Sequence, residues 1–176
     1  MFDLETLGVR PGSAIRSVGA AAFDPAGGEP VATFSRNIRS LSCWVAGLTV
    51  DRSTLDWWDR QSQEARDAVK VDPVDLADAA RDFHAWFGAQ GAVHLWCQGA
   101  GFDEVLWTAA MRAIDLIPPW KFWDVRCTRT IYHAAGLDPR SVPRQGVAHS
   151  ALDDALHQIR CVQEAHRRLL RGEQKR

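Results

Sequence analysis

The chain has 176 residues, of which 46% are hydrophobic and 24% charged, and its net charge is −1. That length and balance fit one globular domain with a real core, and no apolar run nears the roughly 20 residues of a membrane-spanning helix. The near-neutral charge excludes a protein that coats long duplexes through a broad basic surface, though not one that contacts a few phosphates. Residues 1–5 (MFDLE) alternate Phe2 and Leu4 with Asp3 and Glu5, which on a strand sends the two acids to one face and the apolar pair to the other. These residues lack the basic and apolar regions of a signal peptide, so a cytoplasmic location with no membrane partner is expected. Residues 14–23 and 31–38 read as two further strands, and the turn residues Asp24-Pro25-Ala26-Gly27-Gly28 between them predict an antiparallel hairpin.

Residues 53–70 turn helical, with Leu55, Trp58 and Ala65 among polar neighbours, and a second helix is predicted over 74–88 after Pro73. Residues 92–97 form an apolar run that reads as a buried strand. A helix over 102–114 follows and ends before Pro118-Pro119. A last strand is placed at 121–125, a short helix at 127–135, an exposed loop at 136–147 and a final helix at 150–171. The order predicts a mixed α/β sheet with helices on both sides, in one domain covering 1–176. The four cysteines, Cys43, Cys97, Cys127 and Cys161, form no C-x-x-C pair and read as reduced, packed thiols.

Two carboxylates as close as Asp3 and Glu5 repel unless a cation, a shared proton or strong donors intervene, and hard ions such as Mg²⁺ or Mn²⁺ prefer oxygen ligands. Alone, a D-x-E pair is more often a solvated strand face. Asp103 follows the glycine-containing turn Gln98-Gly99-Ala100-Gly101-Phe102, at the carboxyl end of a strand, where ligands collect in α/β sheets. Its plainer reading is an acid favoured by a helix N-terminus. In His149-Ser150-Ala151-Leu152-Asp153-Asp154, Ser150 and Asp153 have capping-box spacing, which leaves Asp154 free for chemistry. The small Ala151 and Ala155 flank Asp154 and would let this helix come close to the strand carrying Asp3. His149 falls just outside the helix, on a loop.

Asp3-Leu4-Glu5-Thr6-Leu7-Gly8, Gly99-Ala100-Gly101-Phe102-Asp103 and His149-x-Ala151-x-x-Asp154-Ala155 resemble, in order, the three motifs of the DEDDh 3′-to-5′ exonucleases, a group of the ribonuclease H-like superfamily. Leu55-Asp56-Trp57-Trp58 with Gln61, Glu64, Ala65 and Arg66, and Trp120-Lys121-Phe122-Trp123, are similar to its branch of phage exodeoxyribonucleases and a mycobacterial exoribonuclease. The resemblance implies a mixed five-stranded sheet and two divalent ions, Mg²⁺ or Mn²⁺, one held by Asp3, Glu5 and Asp154 and the other by Asp3 with Asp103. His149 would be the general base, with Asp3, Glu5, Asp103 and Asp154 completing the catalytic set. Thr6, Leu7 and Phe102 would meet the terminal nucleotide, Leu7 as a wedge near the last base. Two departures stand out: Gln98 replaces the usual asparagine, and only Met1 and Phe2 precede Asp3.

The expected activity is stepwise release of 5′-mononucleotides from the 3′ end of single-stranded or 3′-overhanging DNA or RNA. Rival readings are a catalytically weak nucleic-acid-binding module of the same fold and an internal-cutting ribonuclease H-type enzyme. Among the eight tryptophans, exposed ones could stack on unpaired bases, with Trp58 the best candidate, and most are assigned to packing. The segment from Arg160 to Arg176 carries six Lys or Arg against two acids, which reads as a solvated helix end or as a track for a phosphate backbone. A homodimer is left open.

Overall fold

A computed structural model describes residues 1–172. Five strands form one mixed sheet in the order β3-β2-β1-β4-β5, with β1 at Phe2–Thr6, β2 at Ile15–Ala22, β3 at Ala32–Asn37, β4 at Leu95–Cys97 and β5 at Val125–Cys127. β1 is the middle strand. It pairs antiparallel with β2, Asp3 lying opposite Gly19, and parallel with β4 at Phe2 and Cys97. β2 and β3 form the antiparallel hairpin that the 24–28 turn predicts. The sheet architecture is thus the mixed, helix-flanked one expected from the sequence.

One face of the sheet is covered by α4 (Leu76–Ala89) and α5 (Asp103–Arg112), where Phe2, Phe34, Phe83 and Trp107 pack as a cluster of tilted and edge-on rings. Such ring pairs add to the stabilisation that apolar burial provides. The other face is covered by α7 (Ala151–Arg171) with α6 (Thr128–Ala134), around Ala155, Ile159, Val162 and Tyr132. Hence every residue of β1 is buried, acids included.

Local chemistry sets the element boundaries. The helix expected over 53–70 divides into α2 (Arg52–Trp58) and α3 (Gln63–Ala68), because the Ser62 hydroxyl accepts the Ala65 backbone N–H and starts a new helix. A short helix α1, Ser40–Val45, lies between the elements expected from the sequence. Residues 122–124 wind as a 3₁₀ turn, so the last strand begins later than predicted, at Val125. Cys43, Cys97 and Cys161 are buried, Cys127 is half-buried, and all four are unpaired thiols. Among the described residues no helix is long and apolar enough to cross a membrane.

Candidate active site

The strand period of two places Asp3 and Glu5 on the face of β1 that α7 covers. What lets α7 come so close is Gly19, next to Asp3 on β2. A Cβ at Gly19 would stand 2.2 Å from the Ala151 carbonyl carbon and from the Leu152 nitrogen, so the first turn of α7 rests directly on the sheet backbone. The small Ala151 and Ala155 complete this approach, and both are buried. As a result one oxygen each of Glu5 and Asp154 and one ring nitrogen of His149 lie within 4.8 Å of one another.

Asp103 enters from the other side as the first residue of α5. Its carboxylate accepts hydrogen bonds from the Leu4 backbone N–H and its own, with the Arg129 guanidinium nearby. Together these residues line a cleft of about 680 Å³. Gln158, one turn beyond Asp154 on α7, donates its amide to an Asp3 oxygen at 2.6 Å and so fixes that carboxylate. Arg144 pairs with Asp154, and the His149 backbone N–H donates to the other Asp154 oxygen at 3.3 Å.

Electrostatically the cleft is short of positive charge. Burial, then the neighbouring Asp103, Glu5 and Asp154, holds the Asp3 carboxyl well above the usual carboxylate range. Burial and the charges of Asp154 and Asp103 push Glu5 up to about 8, despite Arg16 and Arg144. Burial raises Asp103 to about 7, its backbone donors and Arg129 pulling the other way. Such a cluster favours either protons or a multivalent cation.

His149 sits with φ of +65°, a left-handed conformation unusual for a side-chain-bearing residue. Its ring meets Trp57 edge-on at 4.8 Å between centroids, so the indole wall sets its direction. Loop 146–149 is tied to the helix by Asp153, whose carboxylate accepts the Val147 N–H at 2.9 Å. This differs from the expected capping box, because the Ser150 side chain makes no cap hydrogen bond. Asp153 is structural all the same, and Asp154 is the acid that faces the cleft.

The structure therefore gathers Asp3, Glu5, Asp103, His149 and Asp154, with Thr6 and Phe102, around one cleft. Two residues expected to meet substrate, Trp58 and Leu7, do not line this cleft. Trp58 is only 2% exposed, donates its indole N–H to the Thr6 carbonyl at 2.8 Å and carries the Arg16 guanidinium over its ring at 4.3 Å. It packs behind the cleft, and its neighbour Trp57 supplies the lining. Leu7 is 6% exposed and packs in the core. Sequence reasoning also missed Gly19, Gln158, Arg144 and Arg129. A helical spacing of four from Asp154 was the available signal for Gln158.

A model of the Rv2179c-like 3′-5′ exoribonuclease domain matches residues 1–166 of the chain. An exodeoxyribonuclease of enterobacteria phage T4 is 27% identical over 201 aligned positions, which cover 95% of this chain and 88% of the phage protein.

Proposed function

Since the chain belongs to the Rv2179c-like 3′-5′ exoribonuclease domain family and is accordingly a 3′-5′ exonuclease, we propose that it hydrolyses the terminal phosphodiester with two divalent ions, releasing 5′-mononucleotides. The observation that carries this reading is the meeting of Glu5, Asp154 and His149 within 4.8 Å, beside the buried Asp3 and Asp103. Four carboxylates sharing a buried, cation-poor cleft suit hard ions such as Mg²⁺ or Mn²⁺. Asp3, Glu5 and Asp154 would hold one ion and Asp3 with Asp103 the other. When bound, the ions supply Lewis-acid stabilisation of charge building on the phosphate oxygens.

The protein's own groups do the rest. His149, aimed by Trp57, takes the proton of the attacking water as the water oxygen bonds to phosphorus and the bond to the 3′ oxygen breaks. Gln158 keeps Asp3 oriented. Thr6 and Phe102 lie against the terminal nucleotide, and Trp57 offers a face on which an unpaired base stacks, which supports single-stranded or 3′-overhanging ends as substrate. The family is described by action on RNA and the phage relative by action on DNA, so both sugars are proposed as substrates. All of this is assigned to a single exonuclease domain, a reading supported by the five strands lying in one sheet.

The test is a 5′-labelled oligonucleotide incubated with Mg²⁺ or Mn²⁺. A ladder shortening one nucleotide at a time is expected. Asp154→Asn should abolish it, whereas Asp153→Asn, which keeps an acceptor for Val147, should leave most of it. Full activity in a chelator, or an intact ladder with Asp154→Asn, contradicts the reading.

A further inference from the structure

Beyond the cleft, α7 borders a second cavity of about 450 Å³, closed by residues 141–143 and by the β2–β3 turn. Gln163 fixes that turn as a wall, its amide donating to the Asp24 and Gly28 carbonyls at 3.0 and 2.9 Å. Arg160, Arg167 and Arg168 line the cavity against one acid, Glu164, which already pairs with Arg167 and Arg168. In a chain of net charge −1 this is a marked local excess of positive charge.

Arg160 is the telling residue. Its Nε and one terminal nitrogen are shielded from solvent and have no hydrogen-bond partner among the described residues. Buried cationic donors without an acceptor are costly, and a turn of the side chain toward the cavity would bring two adjacent guanidinium N–H groups onto the oxygens of a phosphate. This cavity adjoins the catalytic cleft: Pro143 lines the one and Arg144 the other, while His157 of the cleft precedes Arg160 by one turn. Arg160 follows Asp154 by six residues on a continuous helix, an axial rise of about 9 Å with the two side chains about 120° apart around the axis. A stacked strand, with one phosphate per roughly 3.4 Å, needs two or three nucleotides for the rise alone.

We propose that the cavity between α7, residues 141–143 and the β2–β3 turn binds a backbone phosphate of the strand being degraded, at least two nucleotides upstream of the scissile bond. Arg160 grips the phosphate, and Arg167 and Arg168 supply the field. The assignment rests on the exonuclease reading above and adds to it where the rest of the strand runs.

The experiment compares kcat/KM for 5′-labelled strands of two and ten nucleotides, in the parent, in Arg160→Gln and in the double variant Arg167→Ala/Arg168→Ala. The dinucleotide is too short to reach the cavity. In the parent the longer strand should be the better substrate, and Arg160→Gln should shrink the ratio of ten to two about tenfold. Each lost phosphate contact should also lower the slope of log(kcat/KM) against log[salt] by about one. The double variant, which leaves Arg160 in place, should show a smaller fall in the same direction.

An unchanged length ratio and salt slope in Arg160→Gln overturns the proposal. An Arg160-dependent effect of millimolar inorganic phosphate on dinucleotide hydrolysis, without any length effect, overturns it too, because the cavity would then serve a free anion. If the parent cleaves internally or not at all, the exonuclease reading itself fails, which is a different result from stepwise digestion without length dependence.

Discussion

Removing divalent metal should destabilise the protein in a pH-dependent way. Unfolded Glu5 and Asp103 lose their protons near 4.5 and 3.8, whereas in the fold they hold them up to about 8 and about 7. Between those limits the folded state binds more protons than the unfolded one, so without metal stability falls as pH rises from about 4 to about 8. A pKa change of one is worth about 1.4 kcal/mol, so ionising either group in the metal-free fold costs on the order of 4 kcal/mol. The two share neighbours and are not counted twice. For a chain of this size about 4 kcal/mol corresponds to roughly 10 °C in Tm. The assay is thermal unfolding at pH 5 and pH 8, each with excess Mn²⁺ and with a chelator. Taking the difference at each pH cancels every titrating group remote from the cluster. That difference should be near zero at pH 5, where protons hold the sites, and about 10 °C or more at pH 8. A difference independent of pH, or one retained in full by Glu5→Gln, refutes the reasoning.

Other outcomes follow from single contacts. Gly19→Ala forces α7 off the sheet, so kcat should fall about a hundredfold for a displacement of about 1 Å, with a Tm loss from overpacking; wild-type kcat would dismiss the role given to this glycine. Gln158→Leu frees the Asp3 carboxylate and should weaken Mn²⁺ binding about 10- to 100-fold by calorimetry, while unaltered affinity would make the hydrogen bond incidental. Trp58→Phe should lower stability by about 1 kcal/mol through the lost bond to Thr6 and leave KM alone, whereas Trp57→Ala should raise KM and lower kcat together. The reverse assignment of the two effects would place Trp58, not Trp57, at the substrate.

The sequence exposed those parts of the site that local periodicity controls. Alternation in residues 2–5 gave the acid-bearing strand, and turn chemistry at 24–28 gave the hairpin. The position of Asp103 at a strand-to-helix junction was readable for the same reason. Asp154 lines the cleft and Asp153 does not, and the structural task of Asp153 is to hold Val147 rather than to bond back in a capping box. Trp57 and Trp58 are adjacent on a helix of seven residues, too short for its apolar face to be read. Gly19 carries no sequence signal, because its importance lies in what α7 places above it. Arg144 and Arg160 look like ordinary charged residues until the fold sets one beside Asp154 and leaves two nitrogens of the other without an acceptor among the described residues.

Diffraction from a crystal soaked in Mn²⁺, with data collected at the manganese absorption edge, addresses the central claim most directly. Two anomalous peaks are expected, one among Asp3, Glu5 and Asp154 and one between Asp3 and Asp103. Ordered carboxylates with no peak among them would contradict the account.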